Sequence, residues 1–303
     1  MKGTERYLAF IIERSHVTAV EIAHSPKGKT LTAAGSFDSS INFDDPSIYA
    51  EAGSIGREKT FVREIQAFMK KIGAGAHFFS FGLNSQMAMV QTIPVEMSLS
   101  DEEFATHLEW ELANYFPEAV PEQYIITPYA LVGDDGTPSD RAMVISVRKS
   151  FLNFLNSVCD KLHGSLHIVD IDHFCAETCL TFSFPTLAAK RTVVIGMDEE
   201  TLDASLLVGG KNADIRTMKW NGNDFSLIDA YARDRRADII YLHGRMVTPA
   251  IAQSLKQHTP YQVELADPFR KVALPATLKN IEEIKNKKQE YTAAVGLAVR
   301  EDS

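Results

Sequence analysis

The sequence has few features of a membrane, secreted or nucleic-acid-binding protein. No apolar run is long enough to span a bilayer, and the first residues lack the apolar core of a signal peptide. The three cysteines are an odd number and do not make a disulfide framework, which fits a reducing compartment. Asp and Glu outnumber Lys and Arg by 40 to 31, and the net charge of −9 argues against a surface for duplex nucleic acid. We therefore expect a cytoplasmic protein that neither inserts into a membrane nor binds nucleic acid.

The common catalytic motifs are missing as well. The chain has no Gly-x-Ser-x-Gly elbow, no P-loop Gly-Lys-Ser/Thr and no Gly-x-Gly-x-x-Gly turn. Cys175 and Cys179 fall on one helix face, but no further Cys or paired His supports a metal site, so buried thiols are the better interpretation. Asp170 and Asp172 could form a carboxylate pair at a strand end, although one of two alternating side chains usually faces solvent. The histidines share no metal-ligand spacing (His16, His107, His163, His167 and His173). We expect neither a metal site nor catalytic residues.

The segment of residues 98–117 carries the clearest local pattern. Ser98 and Ser100 are candidate helix caps, and acidic residues follow in the first turn, where the helix dipole favours them. Trp110 lies across the helix from an apolar stripe at helical spacing that consists of Phe104, Leu108, Leu112 and Tyr115. The helix is therefore either sandwiched inside the fold or presents Trp110 to a partner, since Trp is a common interface anchor.

Two groups of three short apolar segments predict two separate sheets. The first group covers residues 7–12, 17–22 and 31–37, and the second covers residues 192–197, 202–208 and 213–218. Residues 39–56 are polar and turn-rich and predict a surface loop, whereas apolar spacing over 61–72 predicts a helix that Gly73 ends. Because 303 residues exceed one typical domain and the strand pattern occurs twice, we expect two lobes.

Several motifs, taken in order, resemble the PilM family of type IV pilus assembly proteins. The candidate helix reads Leu-Ser-Asp-Glu-Glu, Trp110-Glu-Leu and Tyr115-Phe-Pro117, where the family has an acidic start, Trp-Glu-Ala and Tyr-Ile-Pro-Phe. Later segments keep the same order, namely Ile168-Val-Asp-Ile-Asp-His-Phe174, Asp267-Pro-Phe-Arg270 and Tyr291-Thr-Ala-Ala-Val-Gly-Leu-Ala298. The resemblance covers nearly the whole chain.

The resemblance implies an α/β fold of the actin-like (ribonuclease H-like) class. Such a fold has two lobes and an inserted small α/β subdomain, as in PilM and FtsA. On this basis we expect a first lobe over residues 1–97, to which 167–190 return, and an inserted subdomain over 98–166. The second lobe would cover 191–303, and its C-terminal helix could pack back on the first lobe.

The resemblance also implies a nucleotide pocket between two hairpins, and its key positions are altered here. Each hairpin of an actin-like ATPase carries Asp-x-Gly followed by Ser or Thr, where Gly admits the phosphates and Asp helps hold hydrated Mg²⁺. The equivalent positions in this chain are Ile11, Glu13, Ser15, Gly196, Asp198 and Leu202, with Gly244 in the adenosine segment. Glu13 and Asp198 would bring negative charge towards the phosphates. We expect no bound cofactor; the alternative is an actin-like ATPase that still binds ATP and Mg through backbone contacts. A sugar kinase is disfavoured because its catalytic Asp and Gly-rich loops are missing too.

A partner is the remaining implication of the resemblance. PilM-like proteins are expected to hold the cytoplasmic tail of a PilN-like inner-membrane protein in a groove between the first lobe and the insert. The candidate groove residues are Met89, Trp110, Tyr115, Phe116 and Pro117, with residues 88–93 as a candidate strand edge. The sequence thus predicts a non-catalytic scaffold at the inner membrane, for a type IV pilus or a type II secretion-like platform. Self-association is also open.

Overall fold

The computed structural model describes residues 4–45, 48, 51–95, 99–222 and 224–300, so the candidate cap Ser98 lies outside the described residues. Its strands are β1 (Glu5–Glu13), β2 (His16–Ser25), β3 (Gly28–Asp38), β4 (Phe78–Leu83), β5 (Met89–Pro94), β6 (Tyr124–Val132), β7 (Pro138–Arg148), β8 (Ser165–Ile171), β9 (Arg191–Met197), β10 (Thr201–Val208), β11 (Lys211–Lys219), β12 (Ile239–His243), β13 (Gln262–Leu265) and β14 (Val272–Ala273). Its α-helices are α1 (Glu51–Ile72), α2 (Asp101–Tyr115), α3 (Lys149–Lys161), α4 (Asp172–Ser183), α5 (Ser226–Asp234), α6 (Pro249–His258), α7 (Ile281–Asn286) and α8 (Thr292–Ala298).

The first lobe is built on a six-stranded sheet in the order β14-β3-β2-β1-β4-β8. Strands β1 to β3 form the antiparallel meander that the sequence predicts, and β4 and β8 join β1 in parallel. Strand β1 is apolar on both faces because helices cover both sides of it. Phe10 packs with Phe61 of α1 and Phe151 of α3, whereas Ile11 packs on the opposite face with Val295 of α8.

The second lobe repeats this plan with a five-stranded sheet in the order β11-β10-β9-β12-β13. Its antiparallel meander is β9 to β11, and β12 and β13 extend it in parallel. Helices α5 and α6 bury Ile228 and Leu255 against one face, and Phe184 and Leu187 cover the other face. The two predicted meanders are therefore present in two separate sheets.

A third, smaller sheet in the order β5-β7-β6 lies between the first lobe and α2. One face packs Met143 and Ile145 into the core of the first lobe, and the other packs Ile93 and Val144 against Leu108 of α2. The limits of this sheet differ from the boundaries expected at residues 98 and 166. Strand β5 joins it from before residue 98, and α3 belongs by its packing to the first lobe, because the aromatic side chains of α3 complete that lobe's core.

Helix α1 is longer than the sequence predicts, and helix α8 packs on a lobe other than the one that precedes it in the chain. Helix α1 begins at Glu51, inside the segment that the sequence predicts to be a loop. The prediction missed the first turns of this helix because only the later turns carry the apolar spacing that marks a buried face. Helix α8 follows the second lobe in sequence but packs on β1, β2 and α4 of the first lobe. Gly296 permits this close approach, since a Cβ atom there would collide with the Cys175 carbonyl group.

Among the residues that the structure describes, no helix is both long and apolar enough to cross a membrane. Cys175 and Cys179 of α4 are free, buried thiols under α8, and burial raises the pKa of Cys179 to about 12. Both cysteines therefore act as core residues of the first lobe rather than as reactive or ligating groups.

Candidate functional site

The cleft between the lobes is bridged by ion pairs between its two hairpin turns. We use "the cleft" for Glu13 and Arg14 of the first turn, residues 198–200 of the second turn, and Arg245. Arg14 has a φ of 56°, and its guanidinium group reaches Glu200 at 2.9 Å and Glu199 at 3.4 Å, across the gap between the lobes. It also contacts Asp44 of the first lobe at 3.1 Å. A side chain of the protein itself therefore joins the two hairpins.

Arg245 adds a second bridge from the end of β12. Its Nη2 atom donates to Glu199 Oε1 at 3.0 Å, and its Nε atom lies 3.7 Å from Glu13 Oε2. Gly244 precedes it with a φ of 105°, and a Cβ atom there would lie 2.9 Å from the Met197 carbonyl oxygen. Glycine at this position thus lets the backbone pass close to β9 and directs Arg245 into the cleft.

The electrostatics of the cleft disfavour a further anion. Burial and, next, the charge of Asp198 raise the pKa of Glu13 to about 7, and of the groups that act on it only Arg245 lowers it. Burial and nearby acids also raise the pKa of Asp44. Carboxylates therefore already compete for two guanidinium groups, and a nucleotide phosphate would have to displace them.

Behind the cleft lies a buried histidine pair that connects α4 to β12. His173 Nδ1 lies 3.1 Å from His243 Nε2, and His173 Nε2 lies 2.8 Å from Ser205 Oγ. Burial lowers the pKa of His173 to about 3 and that of His243 well below its ordinary value, so both rings are neutral. A Cβ atom at Gly196 would lie 2.8 Å from His243 Nε2, so glycine makes room for the pair. Gly196 stands where the actin-like motif has Asp, and the two histidines occupy the space beside it.

Sequence reasoning missed this pair and treated His173 as a lone histidine. The two rings are 70 residues apart in sequence, and no spacing rule brings them together. In the described part of the chain, no group of three His, Cys, Asp or Glu side chains could hold a metal ion. Asp170, one member of the candidate carboxylate pair, forms an ion pair with Arg300 instead, and Asp172 is buried at the start of α4.

The other positions of the expected nucleotide pocket are apolar or structural. Ile11 and Leu202 are buried in the cores of their lobes. Ser15 lies in the first turn, where its carbonyl oxygen accepts a hydrogen bond from the Ser39 backbone at 2.7 Å. Asp198 accepts a hydrogen bond from Asn84 Nδ2 at 3.4 Å, which links the second hairpin to the segment after β4. Of these residues, Asp198 is the one whose side chain contacts the other lobe.

A second candidate site is a cavity of about 260 Å³ where the small sheet meets the first lobe. We call it "the groove"; its walls are Asp44, Gln86, Met87, Ala88, Met89, Tyr124, Ser146 and Arg148. The Tyr124 and Ser146 side chains are buried, yet neither hydroxyl group has a hydrogen-bond partner among the described residues. Arg148 lies over the Tyr124 ring with its Cζ atom 5.1 Å from the centroid. The walls of the groove therefore contain a cation and two buried hydroxyl groups that have no partner among the described residues.

Strand β5 forms the side of the small sheet next to this cavity. It pairs with β7 alone, so in the described chain its other edge has no strand partner. Such an edge can accept an extended peptide through main-chain hydrogen bonds. The groove and the edge together fit a chain segment better than a compact small molecule.

The five predicted partner-binding residues do not share one face. Met89 and Phe116 pack with Tyr124 beside the groove. Trp110 lies on the opposite side of α2 and is 60% exposed, which excludes the sandwiched alternative for this side chain. Tyr115 was expected in the buried stripe with Leu112 but is 55% exposed, because the helix ends there beyond the small sheet; Pro117 is exposed as well.

Helix α2 begins as its sequence indicates. The Ser100 hydroxyl accepts a hydrogen bond from the Glu103 backbone, and the Glu103 carboxylate accepts one from the Ser100 backbone, which together form a capping box. Leu108 and Leu112 are buried against the small sheet, and Phe104 packs partly against it. The buried side chains of Leu108 and Leu112 fix how α2 is rotated about its own axis. The helical period then places Trp110 on the side that faces away from the small sheet.

No protein-family model and no curated protein matches the sequence. Among solved structures, a chain of the PilM-PilN type IV pilus biogenesis complex is similar, with a TM-score of 0.73 at 17% identity over 97% of this chain and 98% of that chain. The ethanolamine utilization protein EutJ from Carboxydothermus hydrogenoformans gives a TM-score of 0.51 at 9% identity, over 99% of this chain and 90% of that chain. A Bacteroides thetaiotaomicron protein described as having an actin-like ATPase fold gives 0.50 at 10% identity, over 92% and 94% of the two chains. The chain therefore has the two-lobe actin-like fold, and the resemblance to PilM is confirmed at the level of the fold.

Proposed function

We propose that this protein is a non-catalytic, actin-like scaffold that binds the cytoplasmic tail of a PilN-like inner-membrane protein. It would act in the cytoplasm at an assembly platform of a type IV pilus or a type II secretion-like machine. The fold shared with the protein of the PilM-PilN complex supports this class of function. The proposal assigns different roles to the two candidate sites, one closed by internal ion pairs and the other open to a peptide.

The non-catalytic part of the proposal is supported by the cleft. Arg14 and Arg245 occupy the gap between the hairpins and are paired with carboxylates from both lobes. Nucleotide binding would require breaking these pairs and placing phosphates beside Glu13 and Asp198. The ion pairs connect the two lobes across the space that a nucleotide would need.

The groove supports the peptide-binding part, and the single observation that carries it is the pair of unpartnered hydroxyl groups of Tyr124 and Ser146. A buried hydroxyl group without a partner costs roughly 1–3 kcal/mol, so such groups are rare unless a ligand completes them. Both groups line a cavity next to an unpaired strand edge. An extended tail can pair with β5 through its backbone, and a small shift of the groove walls would bring the two hydroxyl groups within reach of its side chains.

The substitution Tyr124→Phe tests this role because it removes one oxygen atom and keeps the ring. We expect an unchanged or slightly raised midpoint of thermal unfolding, since the hydroxyl group has no partner in the described chain. Binding of a synthetic peptide with the sequence of a PilN-like cytoplasmic tail should weaken about 5- to 10-fold, as expected for one lost hydrogen bond. Isothermal titration calorimetry measures the affinity.

Tyr231→Phe is the matched control, because the Tyr231 hydroxyl group donates to Asp214 Oδ2 at 3.1 Å in the second lobe. This variant should lower thermal stability and leave peptide affinity unchanged. The proposal fails if the tail peptide does not bind the wild-type protein, or if Tyr124→Phe and Tyr231→Phe change its affinity equally.

A further inference from the structure

The outer side of α2 carries an exposed aromatic side chain that the groove does not use. We define "the outer face" by Trp110 and the exposed carboxylates Glu102 and Glu109 of the same helix. Trp110 is 60% exposed and is one of the few large apolar side chains that face solvent in the described chain. A monomeric protein gains nothing in stability from an exposed Trp, whereas Trp is enriched among the anchors of protein interfaces.

The Trp110 ring is held in a defined position on this face. It stacks on His107 with a centroid distance of 6.0 Å and an interplanar angle of 22°. His107 in turn lies 3.6 Å from Glu111, one turn further along the helix. The His107 ring thus packs on the indole, while 60% of the Trp110 side chain stays exposed.

The charges around this ring all have the same sign. From residue 72 to residue 140 the sequence contains eleven Asp and Glu residues and neither Lys nor Arg. Glu102, Glu109 and Glu118 are exposed, and within the described residues none of them forms an ion pair. An exposed aromatic ring on an acidic helix attracts Arg or Lys side chains both through its π face and through charge.

We propose that the outer face of α2 docks a basic, partly apolar segment of another protein, separately from the groove. Apolar side chains of that segment would cover Trp110, and its Arg or Lys side chains would contact the neighbouring carboxylates. Charge complementarity selects this occupant. An anionic lipid surface would be repelled by the same carboxylates. The inference does not depend on the tail-binding role of the groove, because it rests on the opposite side of α2.

A fluorescently labelled amphipathic peptide of Lys and Leu residues serves as the probe, and fluorescence anisotropy of the full-length chain measures its affinity. We expect binding that weakens about 10-fold between 50 and 300 mM NaCl, because exposed charges are screened. Trp110→Ala should weaken it 10-fold or more. Glu109→Lys should weaken it about 5-fold at low salt. A peptide in which Glu replaces Lys should not bind.

Two control variants make the test specific. Asp234→Lys introduces the same charge change at an exposed position of the second lobe and should leave peptide affinity within 2-fold of the wild type. Tyr124→Phe should also leave it unchanged, which separates this site from the groove. Equal weakening by Glu109→Lys and Asp234→Lys would overturn the proposal in favour of general charge attraction.

Three further results would also contradict the proposal. The first is no binding of the Lys and Leu peptide at low salt. The second is binding of vesicles that contain phosphatidylserine, measured by flotation and abolished in Trp110→Ala. The third is a wild-type dimer that Trp110→Ala converts to a monomer in analytical ultracentrifugation, which would assign the face to a second copy of this chain.

Discussion

The cleft and the groove differ in how far their polar side chains are already paired within the protein. In the cleft, Arg14 and Arg245 are each paired with more than one carboxylate, and the two hairpins contact each other through them. In the groove, two buried hydroxyl groups have no partner among the described residues. The comparison teaches that the cleft between the two hairpins is closed by the protein's own ion pairs, whereas the junction with the small sheet keeps polar groups without a partner in the described chain.

The same comparison distinguishes two kinds of buried polar group. Ser205 is buried behind the cleft and its hydroxyl group lies 2.8 Å from His173 Nε2. Ser146 is equally buried beside the groove, and its hydroxyl group has no partner among the described residues. A group of the first kind stabilises the free protein, and a group of the second kind favours a bound state.

The largest effect is expected from filling the space at Gly196. In Gly196→Ala the new Cβ atom would lie 2.8 Å from His243 Nε2 and 3.0 Å from His173 Nδ1, so the histidine pair must shift. We expect a loss of about 2–3 kcal/mol in the free energy of unfolding, measured in urea. Gly56→Ala is the control, because no atom lies within 4 Å of its added Cβ atom, and it should stabilise helix α1 slightly. Equal stability of Gly196→Ala and the wild type would remove the steric account of this position.

Removing both arginines should have the next largest effect. Arg14→Ala combined with Arg245→Ala leaves the carboxylates of both lobes without their cations, and we expect a loss of about 1–2 kcal/mol in stability at low salt. The loss should shrink in 1 M NaCl because screening weakens both the lost attraction and the remaining repulsion. Arg63→Ala, at an exposed position of α1, is the control. If the double variant is as stable as this control at low salt, the ion pairs of Arg14 and Arg245 do not stabilise the contact between the two lobes.

A pH titration isolates the contribution of Glu13. Its pKa is raised from 4.5 to about 7 in the folded protein, so the native state binds a proton more tightly than the unfolded state. The stability from this group is therefore complete below pH 4.5 and is lost as pH rises through 7. Glu13→Gln should exceed the wild type by about 1 kcal/mol at pH 8 and lose this advantage near pH 5. Urea unfolding at both pH values measures the difference; a constant difference would contradict the assigned pKa.

The smallest effect is expected from the comparison of the two buried serines. Ser205→Ala should lower stability by about 1 kcal/mol, since the histidine pair loses a partner. Ser146→Ala should leave stability unchanged or raise it by about 0.5 kcal/mol, because an unpaired buried hydroxyl group is removed. Thermal unfolding of the two variants under one condition gives the sign of each change. Destabilisation by Ser146→Ala equal to that by Ser205→Ala would mean that its hydroxyl group is already satisfied.

The sequence was informative where a local pattern determines a structure. The short apolar segments in residues 7–37 and 192–218 predict both meanders, and the helical period places Trp110 across from Leu108. It was less informative where tertiary contacts decide. Tyr115 keeps the period of the buried stripe, yet it lies past the end of the small sheet that buries the others.

The cleft shows the same limit for a candidate site. The altered motif positions identify the hairpins, but the sequence does not reveal that Arg14 pairs with Glu199, which is 185 residues away. Likewise, the contact between His173 and His243 depends on how α4 packs against the second lobe. Ion pairs and buried polar contacts between distant segments have no periodicity, so only the folded arrangement shows them.

Titration calorimetry of the full-length chain with ATP and Mg²⁺ tests the central claim most directly. If ion pairs from both lobes occupy the cleft, the phosphates must displace Glu199 and Glu200 and approach Glu13 and Asp198. We therefore predict no measurable binding heat at nucleotide concentrations up to about 1 mM, which corresponds to less than about 4 kcal/mol of binding free energy. Micromolar affinity that Arg14→Ala changes would contradict the account and identify the protein as a nucleotide-binding member of the actin-like fold.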